Sequence, residues 1–289
     1  MRLYPIGNYN ISLTDDHKLP EILCANPFYD RYYSFILDYF KRKTQRDWVV
    51  DIGANVGDTA AYIATHINNP ILCVEGAEVY IPHLRHNAKL IGNQVRLIEK
   101  FVSIPAIESR KMEYHGGAGT GVLTINSDNA SSKMTVAEDR FIKIDDIIKQ
   151  AESTGDSVGL IKTDTDGLDA YIVKELIEKT DSIIFYECDE INTLALDVNN
   201  PTRANILKMM DLGYDFIVFE NYGLPVACVD SSQAEVIIGI LDWIKSQYCI
   251  GTVRVHYLDV WAFPPKWSDI YQSSKTLIQK GQFYGQASV

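Results

Sequence analysis

Four residues, Asp51, Gly53, Gly57 and Glu75, have the types and the spacing of a nucleotide-binding site. Asp51 ends a short apolar strand and opens the pattern D-x-G-x-N-x-G, which leads into a helix. Glycine in such a turn permits a positive φ and lets a ligand come close to the backbone. Because the turn feeds a helix N-terminus with unpaired N–H groups, it favours a nucleotide-like ligand; the alternative is a glycine-containing turn without a ligand.

Asn55 distinguishes this turn from the G-x-G-x-x-G pattern of dinucleotide sites, because it replaces the middle glycine that admits a pyrophosphate. Its presence favours a ligand without pyrophosphate, and S-adenosylmethionine carries a zwitterionic amino-acid tail instead. Asp51 can hold the ammonium of that tail directly or through water. Glu75, at the end of the next strand, has the spacing of a carboxylate that accepts hydrogen bonds from ribose hydroxyls. The residues predicted to bind S-adenosylmethionine are Asp51, Gly53, Ala54, Asn55, Gly57, Asp58, Glu75, Gly76 and Ser103.

Two members of this set have a second interpretation. Asp58 also suits the first turn of a helix, where an acid complements the helix macrodipole. Ser103 follows the third strand, where its backbone or hydroxyl would contact the adenine, and a plain serine at a strand end fits equally well.

A second group of acids, Asp164, Asp166 and Glu187, follows the fourth and fifth predicted strands. Ligands of open α/β sheets bind outside the carboxyl ends of the strands, so these acids should converge near the transferred methyl group. One of them could be the general base that takes a proton from a substrate hydroxyl. Together they could instead hold Mg²⁺ or a similar divalent cation. Asp166 could alternatively cap the following helix, and Lys162 is expected to pair with one of the acids.

His115 precedes a glycine-rich loop at 116–121, where it could act as a further base, although an ordinary loop or strand histidine is the simpler interpretation. The loop could also cradle a phosphate, but no Gly-Lys-Ser/Thr follows it. The aromatic run at 28–40 has helical spacing. This spacing favours a helix packed against the sheet over a lid whose tyrosines stack on a flat acceptor.

The elements that must position these residues alternate between strand and helix. The predicted strands are continuously apolar, which is typical of a parallel sheet covered by helices. We therefore predict a Rossmann-like α/β fold with a mostly parallel seven-stranded sheet, helices on both faces and a β-rich insertion after the third strand. Strands are predicted at 48–51, 71–74, 95–102, 159–163, 182–186, 216–219 and 257–263, and helices at 59–67, 79–90, 168–179, 201–212 and 234–246.

Composition restricts the partners and the location. The net charge is −11, and the sequence lacks the cluster of basic residues that binding to nucleic acid requires. We therefore expect no nucleic acid as a partner. The five cysteines form no CxxC pair, a reduced pattern that favours the cytoplasm. No signal peptide or transmembrane helix is expected. The oligomeric state is left open, with a homodimer as one alternative.

Four segments together resemble the FkbM family of methyltransferases, across about residues 47 to 265. They are Val50–Asp58, Val74–Gly76, Ile161–Asp169 and Ile184–Glu187. The family often carries Glu at the position of Asp166, followed by His-Glu where this chain has Leu-Asp. The resemblance implies the fold of class I methyltransferases and methyl transfer to a hydroxyl of a sugar, glycan or natural product.

The resemblance supports only the central part of the predicted organisation. That organisation consists of an N-terminal helical extension at 1–46 as a lid or substrate element, a methyltransferase domain at 47–265 and a C-terminal tail at 266–289. Two other functions stay open from the sequence. One is an enzyme that uses NAD or a nucleotide sugar, and the other is a non-catalytic protein that binds the donor.

Overall fold

An eight-stranded sheet forms the centre of the computed structural model, which describes residues 2–92, 94–105, 112–125, 136–153, 155–191, 200–233 and 235–282. The strands in chain order are β1 (Arg2–Ile6), β2 (Tyr9–Leu13), β3 (Trp48–Ile52), β4 (Ile71–Val74), β5 (Val95–Ile98), β6 (Phe101–Val102), β7 (Met112–Gly117), β8 (Thr120–Ile125), β9 (Phe141–Ile142), β10 (Val158–Thr163), β11 (Ile183–Cys188), β12 (Asp215–Glu220), β13 (Pro225–Val229) and β14 (Leu258–Phe263). The helices are α1 (Leu19–Ala25), α2 (Ser34–Lys43), α3 (Asp58–His66), α4 (Ile81–Ile91), α5 (Ile144–Glu152), α6 (Asp169–Lys179), α7 (Thr202–Asp211), α8 (Glu235–Ile250) and α9 (Ser268–Gln279).

The order of strands in the central sheet is β13-β12-β14-β11-β10-β3-β4-β5. All run in one direction except β13 and β14, which are antiparallel to their neighbours. The predicted Rossmann-like, mostly parallel α/β fold is confirmed. The sheet has one strand more than the seven predicted, because β13 forms a hairpin with β12 and extends the edge. The chain order reverses between β3 and β10, which is where open sheets of this kind bind ligands.

Helices cover both faces of the sheet, as predicted, and each face has its own apolar core. The residues of β3 alternate between them, since Val50 and Ile52 face one core and Val49 faces the other. α5, α6 and α7 pack on the first face, while α2, α3 and α9 pack on the second. The same alternation turns Asp51 and Lys162 toward the second face.

The N-terminal segment is not purely helical, which corrects the prediction for residues 1–46. Its first part is the β1–β2 hairpin, and Ile11 and Leu13 of β2 are buried in the same core as α3. The aromatic run is helical only from Ser34 onward, because residues 27–33 form turns. The predicted packing against the sheet is confirmed for its helical part, where Ile36 and Phe40 are fully buried.

The segment after the third strand contains extra strands, as predicted. The strand expected at 95–102 is divided, because β6 leaves the main sheet and pairs with β9 in a separate parallel ladder. β7 and β8 form an antiparallel hairpin that contains the loop at 116–121. No helix among the described residues is long and apolar enough to cross a bilayer.

Candidate active site

The glycine turn follows β3 and contains three residues with positive φ: Gly53 at 78°, Asn55 at 50° and Gly57 at 84°. A Cβ at Gly53 would lie 1.9 Å from the carbonyl oxygen of Asp164, so the backbone after β10 can approach only because this residue is glycine. A Cβ at Gly57 would lie 2.8 Å from Cδ1 of Leu84 in α4. Gly57 therefore serves helix packing and lines neither cavity described below.

Glu75 connects the glycine turn to the end of β4. Its Oε2 accepts a hydrogen bond of 2.8 Å from the backbone N–H of Asn55, and its Oε1 accepts one of 2.6 Å from that of Ala77. Burial raises the pKa of Glu75 above its ordinary value, although these backbone donors oppose the shift. Each carboxylate oxygen can accept a second hydrogen bond, so both can still accept one from a ribose hydroxyl. Ala54 is buried, and its N–H donates to Val74.

Asp51 and Lys162 are opposite each other on the adjacent parallel strands β3 and β10. Both are buried, and the Nζ of Lys162 lies 3.9 Å from Oδ1 of Asp51. Among the residues that the structure describes, neither carboxylate oxygen of Asp51 has a hydrogen-bond partner. Burial raises the pKa of Asp51 to about 7, against the lowering effect of Lys162. The end of β3 therefore holds a buried acid that lacks a donor.

Lys162 is the positive charge of the acidic cluster, which confirms its predicted pairing. Its Nζ donates to Oδ2 of Asp164 at 2.9 Å. Burial acts to lower the pKa of Lys162, but the carboxylates of Asp164, Asp51 and Asp30 outweigh it and raise that pKa well above its ordinary value. The lysine remains charged.

Asp166 does not cap α6, because Leu168 precedes that helix and Asp166 has a positive φ of 51°. Asp169 stabilises the backbone before α6 instead. Its Oδ1 accepts a hydrogen bond of 2.7 Å from the hydroxyl of Thr163, and its carboxylate accepts the N–H of Thr165 at 3.1 Å. Burial, with Asp164 nearby, raises the pKa of Asp169 to about 7. The capping role that the sequence left open for Asp166 therefore does not hold, and Asp169, for which the sequence predicted no role, contacts the backbone at this helix start.

Glu187 lies in β11 opposite Asp259 of β14. Burial raises the pKa of both carboxyls well above their ordinary values, and Asp164 contributes to both shifts. The phenol of Tyr32 donates to Oδ2 of Asp259 at 3.0 Å. Glu187 lines neither cavity, so it belongs to the acidic surroundings of the site and not to its described walls.

The first cavity is a narrow slot beside Glu75 with a free volume of about 60 Å³. The Phe101 ring closes one end, since a Cβ at Gly76 would lie 2.2 Å from Cγ of that ring. Ser103 was expected at the adenine, but its backbone N–H donates to Ile142 and it is not part of the wall. The apolar wall consists of Val74, Tyr80, Phe101, Val102, Leu168 and Ile172.

The second cavity, of about 300 Å³, meets the slot at Gly53 and Asp164, which line both. Lys162 and Asp58 also line it, and Asp58 is the first residue of α3, where an acid complements the macrodipole. Asn55 and Thr59 line it as well, and a large part of the wall comes from the N-terminal segment, for which a lid or substrate element was one interpretation of the sequence. The residues of that segment are His17, Lys18, Leu19, Ile22, Tyr29 and Asp30.

The turn of the β7–β8 hairpin closes one side of the second cavity. The side-chain amide of Asn55 donates to the carbonyl of Gly119 at 2.7 Å, and Oδ2 of Asp16 accepts the N–H of Ala118 at 2.9 Å. The glycine-rich loop is therefore a hairpin turn tied to the glycine turn. The prediction for His115 falls on a side chain outside the described part of the structure; its backbone pairs with Val122.

The divalent cation considered from the sequence has no support at this site. Among the residues that the structure describes, no three His, Cys, Asp or Glu side chains are grouped so that they could hold a metal ion. Lys162 supplies the positive charge next to Asp164 that a cation would supply. We therefore assign no metal to Asp164, Asp166 and Glu187.

Comparisons with known proteins yield distant structural likenesses. No family model and no curated protein sequence matches the chain. The chain is similar to an O-methyltransferase from Bacillus cereus in complex with SAH, at 10% identity and a TM-score of 0.40, over 90% of this chain and 94% of that one. It is also similar to the O-methyltransferase TomG from Streptomyces achromogenes, involved in tomaymycin synthesis and in complex with SAM, at 8% identity and a TM-score of 0.41, over 88% and 91%.

A third similar structure is Aeropyrum pernix fibrillarin with natively bound S-adenosyl-L-methionine, at 10% identity and a TM-score of 0.36, over 81% of this chain and 76% of that one.

Proposed function

We propose that this chain is an S-adenosylmethionine-dependent O-methyltransferase. The observation that carries the proposal is the meeting of two different cavities at Gly53 and Asp164. One is a narrow slot whose wall combines apolar side chains with the carboxylates of Glu75, Asp164 and Asp166, which suits a nucleoside, and the other is a larger cavity lined mostly by polar side chains, which suits an acceptor. A methyl donor that spans the glycine turn would present its sulfur between them.

The donor fits two features of the chain. Glu75 can accept the ribose hydroxyls, while the apolar side chains of Val102, Leu168 and Ile172 suit the adenine. The carboxylate of Asp51, which accepts no hydrogen bond from the described residues and lies 3.9 Å from the Nζ of Lys162, suits the ammonium of the amino-acid tail, through water because Asp51 is completely buried. When bound, S-adenosylmethionine supplies a methyl group on a positively charged sulfur.

The slot must widen to admit a nucleoside. Its volume of about 60 Å³ is below the roughly 300–1,000 Å³ of ligand pockets. The residue that has to move is Phe101, which is only partly buried and stands over Gly76. Turning this ring away from Gly76 would join the slot to the space above it.

The acceptor is proposed to be a hydroxyl of a sugar, glycan or natural product, in line with the resemblance to the FkbM family, in which we place the chain. The acids and phenols of the second cavity can hydrogen-bond hydroxyl groups. Positioning contributes much of the rate in such a displacement, because the acceptor oxygen must approach the methyl carbon in line with sulfur. We also propose a cytoplasmic location, because all five cysteines are free.

Two measurements test the proposed function. Calorimetric titration should show binding of S-adenosylmethionine and none of NAD. Donor carrying a tritiated methyl group should label at least one of methyl glucoside, methyl rhamnoside, catechol and glycerol, with mass spectrometry locating the methyl group. Binding of NAD alone would contradict the proposal, and donor binding without turnover on any hydroxyl compound would favour a non-catalytic donor-binding protein.

A further inference from the structure

Three carboxylates are among the described residues that line the second cavity: Asp30, Asp58 and Asp164. Two of them have cationic partners. Asp164 accepts a hydrogen bond from Lys162 at 2.9 Å, and Oδ2 of Asp58 lies 3.7 Å from a guanidinium nitrogen of Arg31. An ion pair stabilises the charged form of a carboxylate and makes it a weaker base.

Asp30 differs from the other two because its carboxylate accepts no hydrogen bond from any described residue. It is partly buried and lies beside Tyr29 in the wall of the second cavity, whose lining also includes Lys162 and Asp164. Burial raises the pKa of Asp30 to about 6, with Lys162 opposing the shift and Asp164 adding to it. A carboxylate of this kind is mostly ionised at neutral pH and is a stronger base than a paired one.

The backbone around Asp30 is held in one conformation. Asp30 has a φ of 49°, which is uncommon for a residue with a side chain. The phenol of Tyr62 in α3 donates to the carbonyl of Arg31, and a Cβ at Gly223 would lie 2.7 Å from the carbonyl oxygen of Phe28. The helix α3 and the β12–β13 turn therefore fix the segment that carries Asp30.

We propose that Asp30 is the proton acceptor of the methyl transfer, a role that rests on the proposed function. The acceptor oxygen forms a bond to the methyl carbon while the C–S bond breaks and leaves its electron pair on sulfur. The O–H proton of the acceptor passes to the carboxylate of Asp30. Asp164, held by Lys162, positions the acceptor and does not take the proton.

The first test is the titration of Asp30 itself, which needs no acceptor. Carbon NMR of protein labelled at aspartate carboxyls should show one signal with a midpoint near pH 6 that is absent from the Asp30→Asn variant. A midpoint near the ordinary value of about 3.9 would overturn the proposal, because a carboxylate of that pKa is a weak base at neutral pH. The fit of this titration curve must include the other charged and titratable groups around Asp30. They are Tyr29, Arg31, Tyr32, Tyr33, Asp51, Asp58, Tyr62, Lys162, Asp164 and Asp259.

The second test compares Asp30→Asn and Asp30→Glu with Asp38→Asn, a change of a partly exposed acid paired with Lys41 on α2. Asp30→Asn should lower single-turnover transfer to the labelled hydroxyl compound by roughly 100- to 10,000-fold, with donor affinity within twofold of wild type. Asp30→Glu should recover part of the rate, and Asp38→Asn should match wild type. Transfer by Asp30→Asn within threefold of wild type overturns the proposal.

The pH profile separates a proton acceptor from a structural residue. Wild-type kcat/KM should fall below about pH 6 as Asp30 takes up a proton, and the residual rate of Asp30→Asn should lack that fall. An acid limb that persists unchanged in Asp30→Asn overturns the proposal. A wild-type chain that binds no S-adenosylmethionine contradicts the proposed function instead, and the calorimetric titration reports that outcome separately.

Discussion

The Oε2 atom of Glu75 accepts a 2.8 Å hydrogen bond from the backbone N–H of Asn55. The acid after β4 and the turn after β3 are therefore one structural unit before any ligand arrives. This contact explains why Asn55 can hold a φ of 50°. It also means that Glu75 has two roles, one in the fold and one proposed for the donor.

Replacing Glu75 by alanine should reduce both stability and donor binding. Two buried N–H groups, of Asn55 and Ala77, would lose their acceptor, which costs about 1–3 kcal/mol of unfolding free energy. Donor affinity should weaken by about 1–3 kcal/mol, measured by calorimetry at a temperature where the variant is folded. Glu78→Ala is the matched control, because this neighbouring acid is exposed and pairs with Arg140 at the surface. Unchanged donor affinity in Glu75→Ala would show that Glu75 does not contact the ribose.

Much of the fold, and the placement of Glu75 beside the glycine turn, could be predicted from the sequence. Continuous apolar runs indicate buried strands, and the spacing of Gly53 and Glu75 depends on one strand–turn–helix unit and the next strand. These relationships are local in the chain, so they can be predicted from the residue pattern and the spacing. The hairpin β1–β2 was missed because its strands are short and only partly apolar, and Pro5 lies within β1.

The acceptor half depends on contacts between distant parts of the chain. Asp30 reaches the cavity through turns at 27–33, and nothing in its neighbours indicates that this segment faces β10. The choice between Asp166 and Asp169 depends on backbone conformation, since Asp166 has a positive φ and Asp169 reaches back to Thr165. Residue type alone does not distinguish two acids three positions apart.

Above about pH 8, where the carboxyl of Asp51 is ionised, Lys162→Met should destabilise the chain strongly, because it leaves that buried carboxylate without a cation. The expected loss of unfolding free energy is about 3–5 kcal/mol, measured by denaturant unfolding. Adding Asp51→Asn should recover part of the loss, since the double variant no longer buries that lone charge. Lys149→Met is the control, because it removes an exposed lysine that pairs with Asp146. It should cost no more than about 1 kcal/mol of unfolding free energy. If the two lysine changes cost the same, Lys162 and Asp51 are not energetically coupled.

The stability of the chain should fall as the pH rises from about 4 to 7. The pKa of Asp51 is about 7 in the folded state and about 3.9 when unfolded, so only the folded state holds its proton in this window. The state that binds more protons becomes less stable relative to the other as the pH rises, and the stability lost through Asp51 is on the order of 4 kcal/mol. Asp51→Asn should show a flatter dependence in urea unfolding across this range, while Asp38→Asn should keep the wild-type slope. Equal slopes in wild type and Asp51→Asn would mean that Asp51 is ionised in the folded protein.

A comparison of Gly53→Ala with Gly251→Ala tests the close approach between the glycine turn and the backbone after β10. Both glycines have a similar positive φ, 78° and 71°, so the conformational cost of alanine is comparable, about 1–2 kcal/mol. They differ in surroundings, because a Cβ at Gly251 meets nothing within 4 Å, whereas one at Gly53 overlaps the carbonyl oxygen of Asp164. Relief of that overlap must move the backbone after β10, so Gly53→Ala should cost about 1–3 kcal/mol more unfolding free energy than Gly251→Ala. It should also weaken the binding of S-adenosylmethionine, which Gly251→Ala should leave unchanged. Equal unfolding free energies for the two variants would mean that the turn and the end of β10 can separate at no cost.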